Sequence, residues 1–234
     1  MLLAVILLLI FINSFMTHKH KHVLNVYFGV PGSGKTTFAA WLAKQANRQN
    51  RLITWCEKYD SAFSRHLLNS KYLKRHIDVY SNVPITGTYM LDCKKDLGIS
   101  HMENAKIIID EAGIEFNNRE FKTFPQTAVY FFKYHRHYRC SVDVFSQSYE
   151  DMDITLRRLA QNYYVVKKSL VPFCVVCRRI RRRVGIDENT HQIIDEYSFD
   201  FPVIGTRRIF SPPLWKLFNS YSCKQLLPKE WAMW

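Results

Sequence analysis

The stretch GVPGSGKTT, residues 29–37, combines residue types and a spacing that bind phosphate. It fits G-x-x-x-x-G-K-[ST], with glycines at the first and sixth positions and Lys35 and Thr36 after them. Glycines let consecutive backbone N–H groups point at a phosphate, the lysine reaches the terminal phosphates, and the threonine hydroxyl is a Mg²⁺ ligand. The predicted nucleotide-binding residues are Gly29, Val30, Pro31, Gly32, Ser33, Gly34, Lys35, Thr36 and Thr37.

The residues on both sides of this loop predict the elements that must hold it. VLNVYF, residues 23–28, is a β-branched and aromatic run typical of a buried strand. The following TTFAAWLAKQANRQN has Phe38, Leu42 and Ala46 at helical spacing. A strand before the loop and a helix after it is the context that a phosphate-binding loop (P-loop) requires.

A second candidate site lies in AKIIIDEAG, residues 105–113. Three consecutive isoleucines are typical of a strand buried on both faces in a parallel sheet. Asp110 and Glu111 follow where that strand ends, and open α/β sheets bind ligands at the carboxyl ends of their strands. We expect Asp110 to share the Mg²⁺ with Thr36 and Glu111 to polarise an attacking water, which favours hydrolysis over transfer to another substrate.

Polar and basic residues further along the chain complete the predicted catalytic set. SVDVFSQ, residues 141–147, predicts a strand whose terminal Gln147 senses the γ-phosphate or the attacking water. The helix predicted from DITLRRLAQN presents Arg157 and Arg158, candidates for a charge-stabilising finger in a neighbouring subunit. With Lys35 and Glu111, these three residues are the predicted catalytic side chains.

The remaining pattern predicts the fold class. RLITWC, residues 51–56, and DVYSN, residues 78–82, read as strands, and residues 129–137 read as a helix. Together with the elements above, they predict an α/β P-loop NTPase, in which a mostly parallel sheet has helices on both faces and a basic β-hairpin is added late in the chain.

Composition agrees with a folded basic protein of 234 residues. The apolar fraction is 47%, and 33 Lys and Arg against 20 Asp and Glu give a net charge of +13. This charge favours an anionic partner, nucleic acid or a phospholipid surface, although it also keeps a protein soluble. The six cysteines are too scattered for a disulfide scaffold, and the pair Cys174 and Cys177 lacks a second pair at zinc-binding spacing, so we expect reduced thiols.

The N-terminus is the other informative segment. MLLAVILLLIFINSFMT, residues 1–17, carries no charged side chain, and HKHKH follows it directly. A cleaved signal peptide and a buried element of the domain are the alternatives, but a single-pass transmembrane signal anchor fits best. The basic cluster would then keep residues 18–205, the predicted ATPase domain, in the cytoplasm of the host cell.

A basic strip lies between residues 163 and 183. YYVVKKSLVPFCVVCRRIRRR holds seven Lys or Arg and no acidic residue, with Tyr163, Tyr164 and Phe173 interleaved. Alternating residues predict a hairpin that turns at Val171 and Pro172. The strip fits the backbone of single-stranded DNA with its rings as stacking platforms, anionic lipid headgroups, or simply a solvated hairpin. We interpret residues 206–234 as an aromatic tail that packs on the domain or contacts a partner.

Five segments together resemble the zonula-occludens-toxin-like (Zot) family, which includes the assembly ATPases of filamentous phages. They are GVPGSGKT, IIIDEAG, YHRHYRCSVDVFSQ, LRRLAQNYY and the late LWKLFNSYSC. The first two occur in many NTPases, whereas His135-Arg136-His137 before a strand ending in Gln147 is more specific. The resemblance spans roughly residues 23 to 225.

The resemblance implies a membrane-anchored ring of ATPases that drives assembly and extrusion of filamentous phage through the host inner membrane. Single-stranded DNA, phage coat proteins and the anionic membrane surface are its expected partners. Familiar members carry their membrane span after the ATPase domain, whereas here the apolar run comes first, so either a separate export-channel protein or a host with one membrane is implied. A DNA translocase or a nucleotide kinase remains an alternative; a GTPase lacks its N-K-x-D motif, and nothing favours an extracellular toxin.

Overall fold

The computed structural model describes residues 22–59, 75–116, 126–186, 193–200 and 205–219, together with residues 61, 64, 65 and 68. The predicted anchor, residues 1–17, and the end of the aromatic tail lie outside these ranges. Within them, no helix is long and apolar enough to cross a membrane.

Nine strands within the described ranges form one sheet, whose spatial order is β3-β2-β4-β5-β1-β6-β7-β8, with β9 also paired to β7. The strands from β3 to β6 are all parallel, and β7, β8 and β9 add antiparallel pairs. Their bounds are β1 Leu24–Phe28, β2 Asp78–Ser81, β3 Tyr89–Met90, β4 Ala105–Ile109, β5 Ser141–Ser146, β6 Asn162–Lys168, β7 Cys174–Ile186, β8 Ile193–Phe199 and β9 Thr206–Phe210.

Helices cover both faces of the parallel strands, as the sequence predicts for this fold class. The long helix α1, Lys35–Lys58, lies on one face, where Phe38 and Leu42 pack with Phe145. The short helices α2, Ala112–Glu115, α3, Gln126–Tyr134, and α4, Ile154–Leu159, lie on the other face. A 3₁₀ helix, Pro212–Leu217, packs on the α1 side. Two separate apolar cores therefore hold the sheet from both sides.

The strand predicted at residues 51–56 is wrong, because these residues are the last turns of α1. Ile53 and Cys56 are 1% and 2% exposed and continue the buried stripe of Leu42 and Ala46 along the helix. The strand prediction followed the local β propensity of Ile53, Thr54 and Trp55, whereas helical burial over 24 residues decides the structure. The strand predicted at residues 78–82 is confirmed as β2.

The predicted basic hairpin is confirmed, and it is part of a larger antiparallel extension. Strands β6 and β7 pair from Tyr163↔Ile180 to Lys168↔Val175, and residues 169–173 make the turn. β8 pairs with the second half of β7 and β9 with its first half. Residues 206–219 thus join the sheet and its core, since Leu214 is 2% exposed and Phe218 bridges to Ile85. This part of the tail packs on the domain.

A row of polar side chains crosses five neighbouring strands on the α1 side, near the amino ends of the parallel strands. Lys106 of β4 forms an ion pair with Asp143 of β5, which is fully buried. Asn25 of β1 donates to Asp143 Oδ1 at 2.7 Å and accepts from Asn162 of β6 at 2.9 Å. Arg179 of β7 donates to Asn162 Oδ1 at 2.5 Å. We call these five residues the polar row.

The polar row predicts a stability effect at Lys106. Replacement by methionine leaves the Asp143 carboxylate buried without its cation, so Lys106→Met is expected to lower the free energy of unfolding by about 3 kcal/mol. The double variant Lys106→Met with Asp143→Asn should regain much of this loss, because no unpaired charge remains. Urea unfolding followed by circular dichroism measures both.

Lys95→Met is the matched control, since Lys95 pairs with Asp92 at 3.4 Å on the surface. It should leave the unfolding midpoint unchanged. Equal midpoints for Lys106→Met and Lys95→Met would contradict a structural role for the row.

Candidate nucleotide-binding site

The P-loop lies between β1 and α1, at the carboxyl edge of the sheet. The Gly29 N–H donates to the Ser146 carbonyl at 3.3 Å, so the loop begins fastened to β5. Gly34 has φ 95°, and an added Cβ would lie 2.5 Å from Val175 Cγ2, so only glycine fits there. An added Cβ at Gly29 would lie 2.6 Å from the Val166 carbonyl. The loop is therefore enclosed between β5 and the hairpin β6–β7.

Lys35 occupies the centre of the loop. Its Nζ donates to the Gly29 carbonyl at 2.7 Å and to the Val30 carbonyl at 3.3 Å, and its side chain is largely buried. Burial lowers the pKa of Lys35, while the nearby carboxylates of Asp110 and Glu111 oppose this shift. A buried ammonium held by backbone carbonyls is ready to exchange them for phosphate oxygens.

The structure brings Thr36 and Asp110, the two predicted Mg²⁺ ligands, into contact. The Thr36 hydroxyl donates to Asp110 Oδ2 at 2.6 Å, which joins the first turn of α1 to the end of β4. Burial raises the pKa of the Asp110 carboxyl, and the hydrogen bonds from Thr36 and from the Glu111 amide counteract this rise. Hydroxyl and carboxylate oxygens are the ligands that Mg²⁺ takes in such sites, with phosphate and water oxygens completing its shell.

Glu111 is exposed and adopts the left-handed conformation with φ 51°. Its amide donates to Asp110 Oδ1 at 3.0 Å, so the turn that raises Glu111 above the strand also fixes the carboxylate beside it. Left-handed conformations of residues other than glycine are strained and cluster at functional sites.

Asn82, just after β2, is a residue of this site that sequence reasoning missed. Its Oδ1 accepts from the Asp110 amide at 2.7 Å, and its Nδ2 donates to the Asp110 carbonyl at 2.8 Å. This pair of bonds replaces a strand ladder at the point where β4 ends, and it holds Asp110 in place. The signal available was its position, a polar residue directly after a strand next to the acidic strand.

The other predicted catalytic residues are placed differently. β5 lies between β1 and β4, and Gln147 follows its last residue as an exposed side chain at the carboxyl edge. The Arg157 guanidinium lies 4.7 Å from the Tyr149 ring of its own chain, whereas Arg158 is exposed. The structure thus brings Lys35 and Glu111 to one site and holds Arg157 against Tyr149.

The family model described as zonular occludens toxin (Zot) matches residues 23–173. The chain belongs to the Zot family. A comparison with curated proteins finds no significant match.

Three solved structures resemble this Zot-family chain at low sequence identity. The N-terminal domain of zonular occludens toxin from Neisseria meningitidis is 15% identical with a TM-score of 0.44, covering 86% of this chain and 100% of its own. The genome-packaging NTPase B204 of Sulfolobus turreted icosahedral virus 2, in complex with ATP-gammaS, is 12% identical with a TM-score of 0.39, covering 75% and 97%. The RadB recombinase is 15% identical with a TM-score of 0.38, covering 79% and 89%.

The residues of this Zot-family site fit a magnesium nucleotide. The loop supplies a buried ammonium at its centre, and side-chain oxygens of Thr36 and Asp110 meet where α1 begins. Gly34 lets Val175 of β7 pack directly against the loop, where any side chain would collide with it. Lys35 would face the phosphates, and Thr36 and Asp110 would hold Mg²⁺, which supplies positive charge to the phosphate oxygens.

In the basic strip, two of the aromatic rings lie elsewhere than the sequence prediction expects. Tyr163 is 2% exposed and bonded to the Arg157 carbonyl, and Tyr164 stacks on Tyr27 with ring centroids 4.9 Å apart. These two rings belong to the core and are not stacking platforms, so that part of the prediction is wrong. Cys174 and Cys177 are three residues apart on β7 and therefore point to opposite faces of the sheet.

The lowered pKa of Lys35 predicts how nucleotide affinity depends on pH. Phosphate binding requires the protonated amine, so ATP affinity should fall as pH rises through the Lys35 pKa, below the pH at which an ordinary lysine loses its proton. Fluorescence titration with a labelled ATP analogue between about pH 8 and pH 10 measures this, since the second ionisation of a phosphate, with a pKa of about 6, is complete in that range.

Lys35→Arg is the matched control, because arginine stays protonated over this range. The affinity for ATP that remains in Lys35→Arg should not show this fall with rising pH. An identical fall in the arginine variant would show that another group causes the dependence.

Proposed function

We propose that this chain is a membrane-anchored ATPase that powers assembly and extrusion of filamentous phage. The observation that carries the enzymatic part is the Thr36–Asp110 hydrogen bond with Glu111 directly beside it, at the mouth of a P-loop. Membership of the Zot family supports the biological part. The residues that bind phosphate, hold a cation and activate water then belong to one edge of one sheet.

The catalytic roles follow from position and charge. The backbone N–H groups of the P-loop and Lys35 bind the phosphates of ATP, and Thr36 and Asp110 hold Mg²⁺. Glu111, exposed above the carboxyl end of β4, accepts a hydrogen bond from the attacking water and orients it toward the γ-phosphate. Asn82 keeps Asp110 at the height that this geometry needs.

Gln147 and Arg158 are assigned the two remaining roles. Gln147 follows the strand between the P-loop strand and the acidic strand, so it is placed to distinguish triphosphate from diphosphate. Arg158 is the better candidate for a finger that completes a neighbouring subunit's site, because it is exposed while Arg157 lies against Tyr149. A finger supplied by a neighbour requires a homo-oligomer, and a ring would let the subunits hydrolyse ATP in sequence.

The work done by hydrolysis is then mechanical. Residues 1–17 anchor the ATPase domain to the cytoplasmic side of the host inner membrane, where virions form. Movement of the domain acts on single-stranded DNA or coat protein while the virion leaves the cell, through a separate export-channel protein where an outer membrane exists.

The role of Glu111 can be tested with Glu111→Gln. The amide keeps the size of the side chain but is a much weaker base, so hydrolysis should fall by at least about 100-fold while the affinity for ATP stays near the parent value. Phosphate release and titration with a labelled ATP analogue measure the two quantities. Glu150→Gln, at an exposed position after β5, is the control and should hydrolyse ATP normally.

Normal turnover in Glu111→Gln would exclude it as the base. Transfer of the γ-phosphate from the parent protein to a nucleotide acceptor, without free phosphate, would favour the kinase alternative.

The biological role can be tested with Lys35→Ala. Host cells whose only copy is this variant should keep the protein in the membrane yet release almost no virions, measured as extracellular single-stranded DNA that resists DNase. Loss of the ammonium removes phosphate binding and so removes the energy source. Unchanged release by a membrane-bound Lys35→Ala protein would refute the extrusion proposal.

A further inference from the structure

The antiparallel extension exposes one face that combines cations and aromatic rings. Pairing between β6, β7 and β9 aligns Lys167, Val176 and Arg208 across three strands, so the two cations share a face. The register also places Arg178, Phe199 and Phe210 on that face. We call Lys167, Arg178, Phe199, Arg208 and Phe210 the basic aromatic face.

Contacts within this face join three of its members, Lys167, Arg178 and Phe199. The Arg178 guanidinium lies 4.5 Å from the Phe199 ring centroid, and Lys167 Nζ lies 6.0 Å from the same centroid. A cation over the face of an aromatic ring is attracted by the ring's quadrupole. The described positions of this face on β6, β7 and β9 carry no acidic residue. On β8, the register places one acidic residue, Asp195, on the same face, opposite Val184 and four residues before Phe199.

The two phenylalanine rings are unusually accessible for a sheet. Phe199 is 51% exposed and Phe210 is 58% exposed. They pair with Ile180 and Cys174 respectively, six residues apart on β7, which corresponds to roughly 20 Å at about 3.4 Å per residue. The cations lie between the two rings along this line. Helices α2, α3 and α4 cover the same side of the sheet over the central strands but leave these rings exposed.

We propose that the basic aromatic face binds single-stranded nucleic acid. The cations bind consecutive backbone phosphates, and the rings stack on unpaired bases, which have free π faces whereas paired bases do not. An anionic membrane would also attract the cations and accept the rings, and the vesicle comparison below distinguishes it. Single-stranded nucleic acid is favoured because the cations lie between the two rings, an order that matches phosphates flanked by stacked bases. A coat protein would need acidic side chains and apolar contacts in alternation.

This inference depends on the structure and could not be drawn from the sequence alone. The sequence interleaves Tyr163 and Tyr164 with the cations, yet both rings are used in the core. Phe173, the third ring of the strip, is 61% exposed in the hairpin turn and lies against Trp215. The two rings that the register places on the basic aromatic face come from β8 and β9, outside the basic strip. The tyrosine cluster of Tyr149 and Tyr197, whose hydroxyls bond at 2.6 Å, borders the face next to Phe199.

The test measures fluorescence anisotropy of a labelled deoxythymidine oligonucleotide of about 20 nucleotides with the full-length protein in mild detergent. No nucleotide is added, so oligonucleotide binding is measured separately from ATP binding. The inference rests on the proposed function, in which the domain acts on single-stranded DNA or coat protein, and assigns the DNA a surface. This design lets the inference fail while the ATPase proposal stands, or the reverse.

Two variants remove the two contributions separately. Lys167→Gln with Arg178→Gln and Arg208→Gln should weaken binding at least about tenfold and reduce the salt dependence of log affinity by roughly two, at about 0.7 per lost phosphate contact. Phe199→Leu with Phe210→Leu should weaken binding about fivefold or more without changing the salt dependence. A duplex of the same length should bind more weakly than the single strand and should not respond to the leucine variant.

The matched control removes the same number of positive charges, three, from an exposed stripe of α1 on the opposite side of the sheet. Lys44→Gln with Arg48→Gln and Arg51→Gln should bind the oligonucleotide nearly as the parent does. Nucleotide binding by each variant shows that the fold is intact, because the P-loop packs on β7.

Photocrosslinking of the parent protein to an iododeoxyuridine oligonucleotide gives an answer without any substitution. Adducts on Phe199, Phe210 or Tyr197 are expected, and adducts confined to other elements would overturn the proposal. The proposal would also fail if the control variant and the face variants weakened oligonucleotide binding equally. If the face variants still bound the oligonucleotide but no longer bound phosphatidylserine vesicles, the face would be a membrane-binding surface instead.

Discussion

The buried carboxylate of Asp143 constrains the sheet more than any other group in the described structure. It is fully buried on β5, and its partners come from both neighbouring strands, Lys106 of β4 and Asn25 and Tyr27 of β1. A shift of one residue in either pairing would turn these partners toward the opposite, apolar core and leave a charge unpaired. The polar row therefore fixes the register of the parallel strands at their amino ends.

That register decides what happens at the carboxyl ends. Because β1, β5 and β4 are aligned, Gly29 reaches the Ser146 carbonyl and Thr36 reaches Asp110. These two hydrogen bonds join the nucleotide site to the sheet, and both form only when β1, β4 and β5 end level with one another. Specificity of register is the clearest reason for retaining a costly buried ion pair so far from the site.

The P-loop, the acidic pair and the hairpin could all be predicted from the sequence, because each depends on neighbouring residues. Gly29 to Thr36 form a local motif, and Asp110 follows a run of isoleucines that only a buried strand accommodates. The last turns of α1 could not be predicted in this way, because Ile53 and Thr54 favour a strand locally and only burial against the sheet keeps them helical. The roles of Asn82 and Tyr163 could not be predicted either, because each depends on a partner that only the fold brings close. Asn82 bonds to Asp110, 28 residues away, and Tyr163 bonds to the Arg157 carbonyl, 6 residues away.

The hairpin β6–β7 connects the nucleotide site to the basic aromatic face through a single layer of backbone. On one side of β7, Val175 packs against Gly34 where no side chain fits, and the Val166 carbonyl of β6 closes on Gly29. On the other side, the next residue of β6, Lys167, belongs to the face, and its partner Val176 on β7 lies on the same side of the sheet. Strand residues alternate between faces, so any displacement of these strands moves both surfaces together. A change in the P-loop on ATP binding or hydrolysis has this short path to the face, and the glycines that tolerate no Cβ are the places where the two surfaces come closest.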